Sequence, residues 1–349
     1  QERVGRDLRD SRLDHESVQV LGTPRRLVVR VHGLADRQPD LEEDRKGPPV
    51  AQAFKDGVPG QAAIGFAKRC GVDPSQLEVR DTPKGECVFA SMRTEGQNSV
   101  DLLQELIPAW INGLQGRRFM RWGTGSQRFS RPIRWLLALK GVDLIPVEIP
   151  GADPPVRSDR FSRGHRLHGD QPLPIDTAEA YDDTLAAAGV IVDRQQRAAL
   201  IRSQLDASAD QLNGLPDCPE SLFEELVDLV ESPRLLQGSI AERFLSLPPE
   251  VIITVMQAHQ RYVPLKVPEV TPDPLQLEAT GVLQRDFLLV GNGLEAADAL
   301  ITRGNERVLA ARLADAEFFL SVDRRQPSSA RREALDRVTF AEGLGSLLD

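Results

Sequence analysis

Cysteine is scarce in this chain: Cys70, Cys87 and Cys218 are its only three, far apart and without a C-x-x-C pair. That excludes a disulfide framework and a cysteine-rich zinc site, and free thiols fit a reducing cytoplasm. Long apolar runs are missing too. The longest, such as Val251–Met256 and Trp135–Leu139, fall far short of the ~20 residues a membrane helix needs, so neither a membrane span nor a signal peptide is expected. Chemistry-bearing motifs are equally sparse. There is no G-x-x-x-x-G-K-S/T, no H-E-x-x-H and no G-x-S-x-G, and the Gly123-Thr-Gly-Ser126 loop lacks the lysine of a phosphate loop. No catalytic residue and no metal ligand follows from such a set. Nor is there a repeating period, which removes solenoids and propellers. The first residue is not methionine and the chain stops just after an apolar Leu347-Leu348, so a fragment of a longer protein is expected.

The most telling absence is local. Between Leu106 and Val142 there is no Asp or Glu, although the chain carries 52 acidic against 43 basic residues and a net charge of −9. That stretch instead holds Arg117, Arg118, Arg121, Arg128, Arg131 and Arg134 among Phe119, Trp122, Phe129 and Trp135. Guanidinium groups neutralise and fork onto phosphates, while aromatic rings and arginine planes stack on exposed bases, so the pattern suits RNA more than DNA. On an acidic body such a site must be a local positive stripe, which argues against a DNA-coating or membrane-surface protein. The competing reading is a solvated basic loop with two core tryptophans. A second basic cluster, Arg157, Arg160, Arg163, His165, Arg166 and His168, lies in the stretch Pro150–Pro174 with its five prolines. No carboxylate or cysteine stands beside its two histidines at metal spacing, so an RNA-contacting or structural role is favoured over zinc.

The 349 residues, 40% hydrophobic and 27% charged, suffice for two or more domains with ordinary cores. Leu27–Val31 reads as a strand and Asp36–Pro49 as a polar linker or excursion. Ala62, Ala63, Phe66, Ala67 and Cys70 predict a helix closed by Gly71, and Cys87–Ala90 a strand after a Lys84-Gly85 turn. The stripe from Leu102 to Leu114 predicts a helix opened at Asn98 or Ser99 and closed by Gly116, with Trp110 in its core face. Trp135–Leu139 is expected to pair with Leu144–Ile149 through a turn at Gly141. Beyond the proline-rich stretch, helices are expected to open at Asp193 with a capping-box-like pattern, at Pro219 and at Pro249. Strands follow at Tyr262–Val267, Gly281–Leu283 and Phe287–Val290, and a last long helix starts near Asn305. The expectation is a mixed α+β fold of antiparallel strands or hairpins with packed helices. Its division is an N-terminal domain over 1–155, bearing the Arg/aromatic segment, and a helix-rich domain over 156–349.

Several blocks, standing in order, carry a resemblance. They are Thr23-Pro-Arg-Arg-Leu27, Met120-Arg-Trp-Gly123, Phe129-Ser-Arg-Pro-Ile-Arg-Trp135, Arg163-Gly-His-Arg166, Met256-Gln-Ala-His-Gln-Arg-Tyr262, Gly304-Asn-Glu-Arg-Val-Leu309 and Ala311-Arg-Leu-Ala-Asp-Ala-Glu-Phe-Phe319. Together they resemble the β subunit of the bacterial heterotetrameric glycyl-tRNA synthetase. The resemblance implies a cytoplasmic α2β2 class II aminoacyl-tRNA synthetase whose α subunit holds glycine, ATP and Mg and forms glycyl-adenylate. Its β subunit is required for charging tRNA(Gly). This chain would then hold no cofactor and would correspond to the N-terminal portion of β, ending before an HD-type and an anticodon-binding domain. Arg117, Arg118, Arg121, Trp122, Arg128, Arg131, Arg134, Arg160, Arg163, His165 and Arg166 become RNA-binding candidates. The alternative is an RNA-independent scaffold whose arginines dock the α subunit through ion pairs. His259, Arg261, Asn305, Glu306 and Arg307 lie in the resembling blocks without an assigned role. Gly304-Asn-Glu-Arg307 reads as a plain helix start with Asn305 as its cap in preference to a substrate site, and His259–Tyr262 equally as a buried polar hinge or a binding site.

Overall fold

The computed structural model describes the whole chain except residues 56, 84, 170, 271, 272, 274–276, 341–344, 348 and 349, so the Lys84 half of the expected turn lies outside the described residues. The fold is mixed α+β, in two compact units. One comprises Gln1–Val20, Val28–Ser162 and Leu173–Ala180; the other comprises Leu21–Leu27, Arg163–Pro172 and Tyr181–Asp349.

In the first unit the helices Glu2–Asp10 and Ser99–Asn112 bury Val4, Leu8 and Leu103 with Leu13, Ile145 and Val147. Trp110 packs on this core and its Nε1 donates to Asp7 at 3.0 Å. Asn98 caps the second helix by accepting from the Val100 amide, and the helix ends at Gly113, ahead of the expected Gly116. A smaller core lies under an antiparallel sheet in which Cys87–Thr94 is flanked by Leu41–Pro49 and Glu78–Arg80. The helix Gln61–Cys70 sets Ala63, Phe66 and Cys70 with Val88 and Ala90, and Gly71 ends it at φ 70° as expected.

The polar linker predicted over Asp36–Pro49 is corrected: most of it is the edge strand Leu41–Pro49. It is charged because little covers it, and charge protects an open sheet edge. Its carboxylates are used locally. Asp44 pairs with Arg80 and accepts from Ser91 Oγ at 2.9 Å, while Asp40 accepts from the Gly96 amide at 2.9 Å and from Arg93 at 2.6 Å. These bonds hold both carboxyl groups below the usual carboxylate range. The hairpin predicted over Trp135–Ile149 is also shorter than expected. Leu139–Lys140 pairs with Asp143–Leu144, but Leu136–Leu137 pairs parallel with Ser158–Asp159. Ser158 is the reason: its amide donates to the Val147 carbonyl at 2.7 Å, and its Oγ donates to the Ile145 carbonyl at 2.7 Å and accepts from the Val147 amide at 2.8 Å.

The second unit is built on a four-stranded antiparallel sheet in the order Leu215–Pro216, Tyr262–Lys266, Leu283–Gly291, Arg234–Ser239. Alternation sorts its side chains onto two faces. Val263, Leu265 and Leu288 meet the helices Arg194–Leu212 and Glu220–Leu229, whereas Tyr262, Phe287 and Leu289 meet Phe244, Met256, Leu309 and Leu313. Covering on both faces explains why the central strands read as unbroken apolar runs. Gly238 stands opposite Phe287 in register, where an added Cβ would come within 2.6 Å of the ring. The two separate strands expected around 281–290 are one, Leu283–Gly291. The last long helix runs Asp298–Arg324, so its start near Asn305 is corrected: Gly304 and Asn305 lie inside the helix, and Asn305 is not its cap.

One buried cation ties the second unit together. Arg197 is fully buried, and its guanidinium donates to four backbone carbonyls: Nε to Val227 at 3.2 Å, one Nη to Ile191 and Val192 at 2.8 and 2.9 Å, and the other Nη to Gly22 at 2.8 Å. Truncation would orphan all four acceptors. Arg197→Ala is expected to lower stability by about 3–5 kcal/mol in urea unfolding, the loss typical of emptying one side of a buried charged network. Arg197→Lys should recover little, because an ammonium cannot fork across carbonyls this far apart.

Candidate nucleic-acid interface

The Arg/aromatic segment forms a small antiparallel hairpin within the first unit. Met120–Arg121 pairs with Arg128–Phe129, placing Met120 opposite Phe129 and Arg121 opposite Arg128. Its loop is clamped from one side: the amides of Ser126 and Gln127 both donate to the Gly151 carbonyl, at 2.8 and 3.0 Å. Close approach dictates the glycines. A Cβ on Gly123 would fall 2.8 Å from the Asp153 carbonyl oxygen, and one on Gly125 2.4 Å from that of Gly151. Gly123-Thr-Gly-Ser126 is thus a packing device. The aromatic residues stiffen the same hairpin, for Trp122 Nε1 donates to the Phe129 carbonyl at 3.0 Å and the Phe119 and Phe129 ring centroids stand 5.1 Å apart.

The arginines behave differently. Arg117, Arg118, Arg121, Arg128, Arg131 and Arg134 are all exposed, and among the described residues none is paired with a carboxylate. Among the described residues Arg128 reaches the Phe119 carbonyl at 3.5 Å and Arg131 that of Ser130 at 2.9 Å. Two like charges directly across a strand pair repel, so the Arg121/Arg128 register costs stability until an anion screens it.

The second cluster is divided. Arg157 is bonded to Glu148 at 2.7 Å, which holds its pKa above the usual arginine value. Arg160 is half-buried and donates to the carbonyls of Asp176 and Val142 at 3.4 and 3.2 Å. Both lie in the first unit, while Arg163, His165 and Arg166 belong to the second. Arg163 is half-buried and Arg166 exposed. His165 is buried, with Nε2 at 3.1 Å from Asn292 Oδ1 and Nδ1 accepting from the Leu167 amide at 3.4 Å; the His168 side chain lies outside the described ones. The His165 ring is therefore occupied inside the protein.

Around His165 the second unit gathers residues that sequence left apart. Thr23 Oγ1 donates to Glu231 Oε1 at 2.5 Å, the buried Arg26 pairs with the same oxygen at 3.2 Å, and Arg25 donates to the Gly164 carbonyl at 3.2 Å. Asn292 Oδ1 accepts from the amides of Glu231 and Ser232, both at 3.0 Å. The blocks at Thr23–Leu27 and Arg163–Arg166 thus converge on Glu231 and Asn292, neither of which was singled out. The one hint was an acid directly after the apolar stripe Leu226, Val227, Val230.

The remaining block residues separate by role. Glu306 accepts from the Ser239 amide at 2.9 Å, holding the long helix to the sheet edge, and His259 and Arg307 are exposed. Arg261 and Asn305 both line a cavity beside the strand Tyr262–Lys266. The thiols offer no nucleophile: Cys70 and Cys87 are buried, and burial pushes Cys218 up to about 11. No helix among the described residues is long and apolar enough to cross a membrane.

A family model described as glycyl-tRNA synthetase beta subunit matches residues 1–349. The chain is 42% identical over 349 residues to the glycine–tRNA ligase beta subunit of Gloeothece citriformis, covering 100% of this chain and 48% of that one. It is 43% identical over 337 residues to that of Synechocystis, covering 97% and 45%, and 42% identical over 344 residues to that of Moorella thermoacetica, covering 98% and 47%. An aminoacyl-tRNA synthetase subunit is the class these matches define. The chain belongs to the glycyl-tRNA synthetase beta subunit family, and it spans about half the length of the curated relatives it matches.

Two outcomes follow from the polar residues. Glu231→Ala breaks a buried ion pair and should cost about 3–5 kcal/mol in chemical denaturation, whereas changes at the exposed His259 should stay within about 0.5 kcal/mol. Cys218, with its raised pKa, should be alkylated at pH 8 roughly a hundredfold more slowly in the folded protein than in urea, and faster as pH approaches 11.

Proposed function

We propose that this chain serves a glycine–tRNA ligase as its tRNA-binding and assembly segment, contributing to the reaction ATP + glycine + tRNA → glycyl-tRNA + AMP + PPi in the cytoplasm. In this reading a separate α subunit supplies the adenylation site with its ATP and Mg, and two copies of each subunit form the enzyme. Family membership supports the reaction, and the lack of adenylation motifs in this chain supports the division of labour. The observation that carries RNA contact is the hairpin with its flanks: six exposed arginines that pair with no carboxylate among the described residues, two of them facing each other across the strands. Such a group is electrostatically incomplete and suits a row of phosphates.

With the hairpin's aromatic residues spent on rigidity, the contact reads the RNA backbone. Arg121→Ala or Arg128→Ala in the assembled enzyme is expected to weaken tRNA binding and to flatten its dependence on log salt by about one unit per lost contact, leaving glycine activation intact. If sedimentation instead finds a loosened assembly before RNA is added, the arginines dock the α subunit and the RNA reading fails. The chain without its partner is expected to give no ATP–pyrophosphate exchange with glycine; robust exchange would overturn the division of labour.

A further inference from the structure

The helix Glu220–Leu229, the strands Tyr262–Lys266 and Leu283–Gly291 and the helix Asp298–Arg324 surround an open-mouthed cavity of about 210 Å³ in the second unit. Leu226, Leu229 and Ile301 give it apolar walls, and Gln260, Arg261 and Asn305 give it a polar edge. Two backbone features set it apart from a packing gap. The chain reaches it through a π-helical turn, Val255–Gln260, a rare form that recurs at functional sites. Arg261 ends that turn in the left-handed region at φ 60° and ψ 37°, uncommon for a residue other than glycine, which turns its side chain away from the helix axis toward Glu225.

The polar edge is arranged but unfilled. Arg261 Nε bonds Glu225 at 2.7 Å and one Nη bonds the Ala258 carbonyl, leaving the other Nη without a partner among the described residues. Tyr262 donates to Asn305 Oδ1 at 2.5 Å and Asn305 Nδ2 donates to the Ile301 carbonyl at 2.7 Å, which leaves one amide proton of Asn305. These donors, free among the described residues, suit an acceptor-rich, anionic ligand. The walls suit a ring. An apolar cavity of ~150 Å³ takes one benzene, so 210 Å³ admits one base-sized group, while glycine would leave most of the space empty.

We propose that this cavity binds a nucleoside monophosphate, with the base between Leu226, Leu229 and Ile301, a base edge on Asn305 and the phosphate on Arg261. The inference rests on the tRNA-ligase reading, which supplies that chemistry from two sources: the terminal nucleotide of an RNA strand, or free AMP released as glycine is transferred. Calorimetric titration of the intact protein with AMP and with a single-stranded RNA tetranucleotide tests it, using Arg261→Gln and Leu229→Trp. Both positions are at least partly exposed, so both variants should fold, and the tryptophan fills the cavity from the end of its helix. At least one probe should bind, with affinity at least about tenfold weaker in each variant, the loss expected for a charge-assisted bond or a blocked cavity. Tetranucleotide binding competed by AMP identifies the RNA end as the source; AMP binding alone identifies the free nucleotide. Binding of neither probe, or binding indifferent to both variants, overturns the proposal. So does a Leu229→Trp protein that binds neither probe but loses its catalytic partner, since the cavity then takes a protein side chain. The hairpin reading is separable: Arg121→Ala and Arg128→Ala should leave AMP binding unchanged. If they weaken tRNA while the cavity variants alter nothing, only the cavity proposal falls; if they spare tRNA while the cavity binds AMP, only the hairpin reading falls.

Discussion

A charge taken wholly out of water needs an enclosing set of acceptors, and the second unit is organised around one such charge. Burial draws the Arg197 guanidinium below the usual arginine range, and four carbonyls from three separate stretches offset that desolvation. One of them belongs to Gly22, at the tip formed by Leu21–Leu27. With that tip held, Thr23 and Arg26 reach Glu231, and Glu231 in turn lies beside the Asn292 amide that His165 uses. Thr23, Arg26 and His165, from two of the resembling blocks, thus engage the buried polar groups of this unit.

Arginine does two kinds of work in this acidic chain. Arg80, Arg93, Arg194 and Arg234 are bonded to carboxylates, which holds their protons more tightly than usual. Among the described residues the 117–134 group has no such neighbours, so its field is not cancelled at short range and extends over roughly a Debye length, ~8–10 Å at ordinary ionic strength. Placing two of the exceptions on one short hairpin and the other four just beside it in sequence, with aromatic side chains fastening the hairpin backbone, gives a locally positive segment on a negative protein.

Legibility in the sequence followed the range of the interactions. Local signals were readable: the glycine closing Gln61–Cys70, the Asp193 cap that accepts from the Gln195 and Gln196 amides, and Pro219 ahead of Glu220–Leu229 all act within a turn of their own position. The exposed Arg/aromatic run was legible because a gap in acidic residues survives any folding. What escaped depended on distant partners. Leu41–Pro49 is a strand only because Cys87–Thr94 pairs with it, and its charged residues carry no β signal of their own. Asn305 resembles a cap in sequence, yet its side chain serves Tyr262, 43 residues away. Glu231 and Asn292 have no motif at all, since a buried polar cluster assembled from four chain segments leaves no spacing to detect.

Both units are discontinuous in sequence, and each is assembled from three stretches. A single cut in the proline-rich stretch would yield two pieces, neither of them complete: the later piece would lack Leu21–Leu27, and with it the Gly22 carbonyl that Arg197 needs. The tip precedes Arg197 by 175 residues, so the second unit can close its polar interior only after that whole stretch has been made. Recombination at one point could not then separate the units.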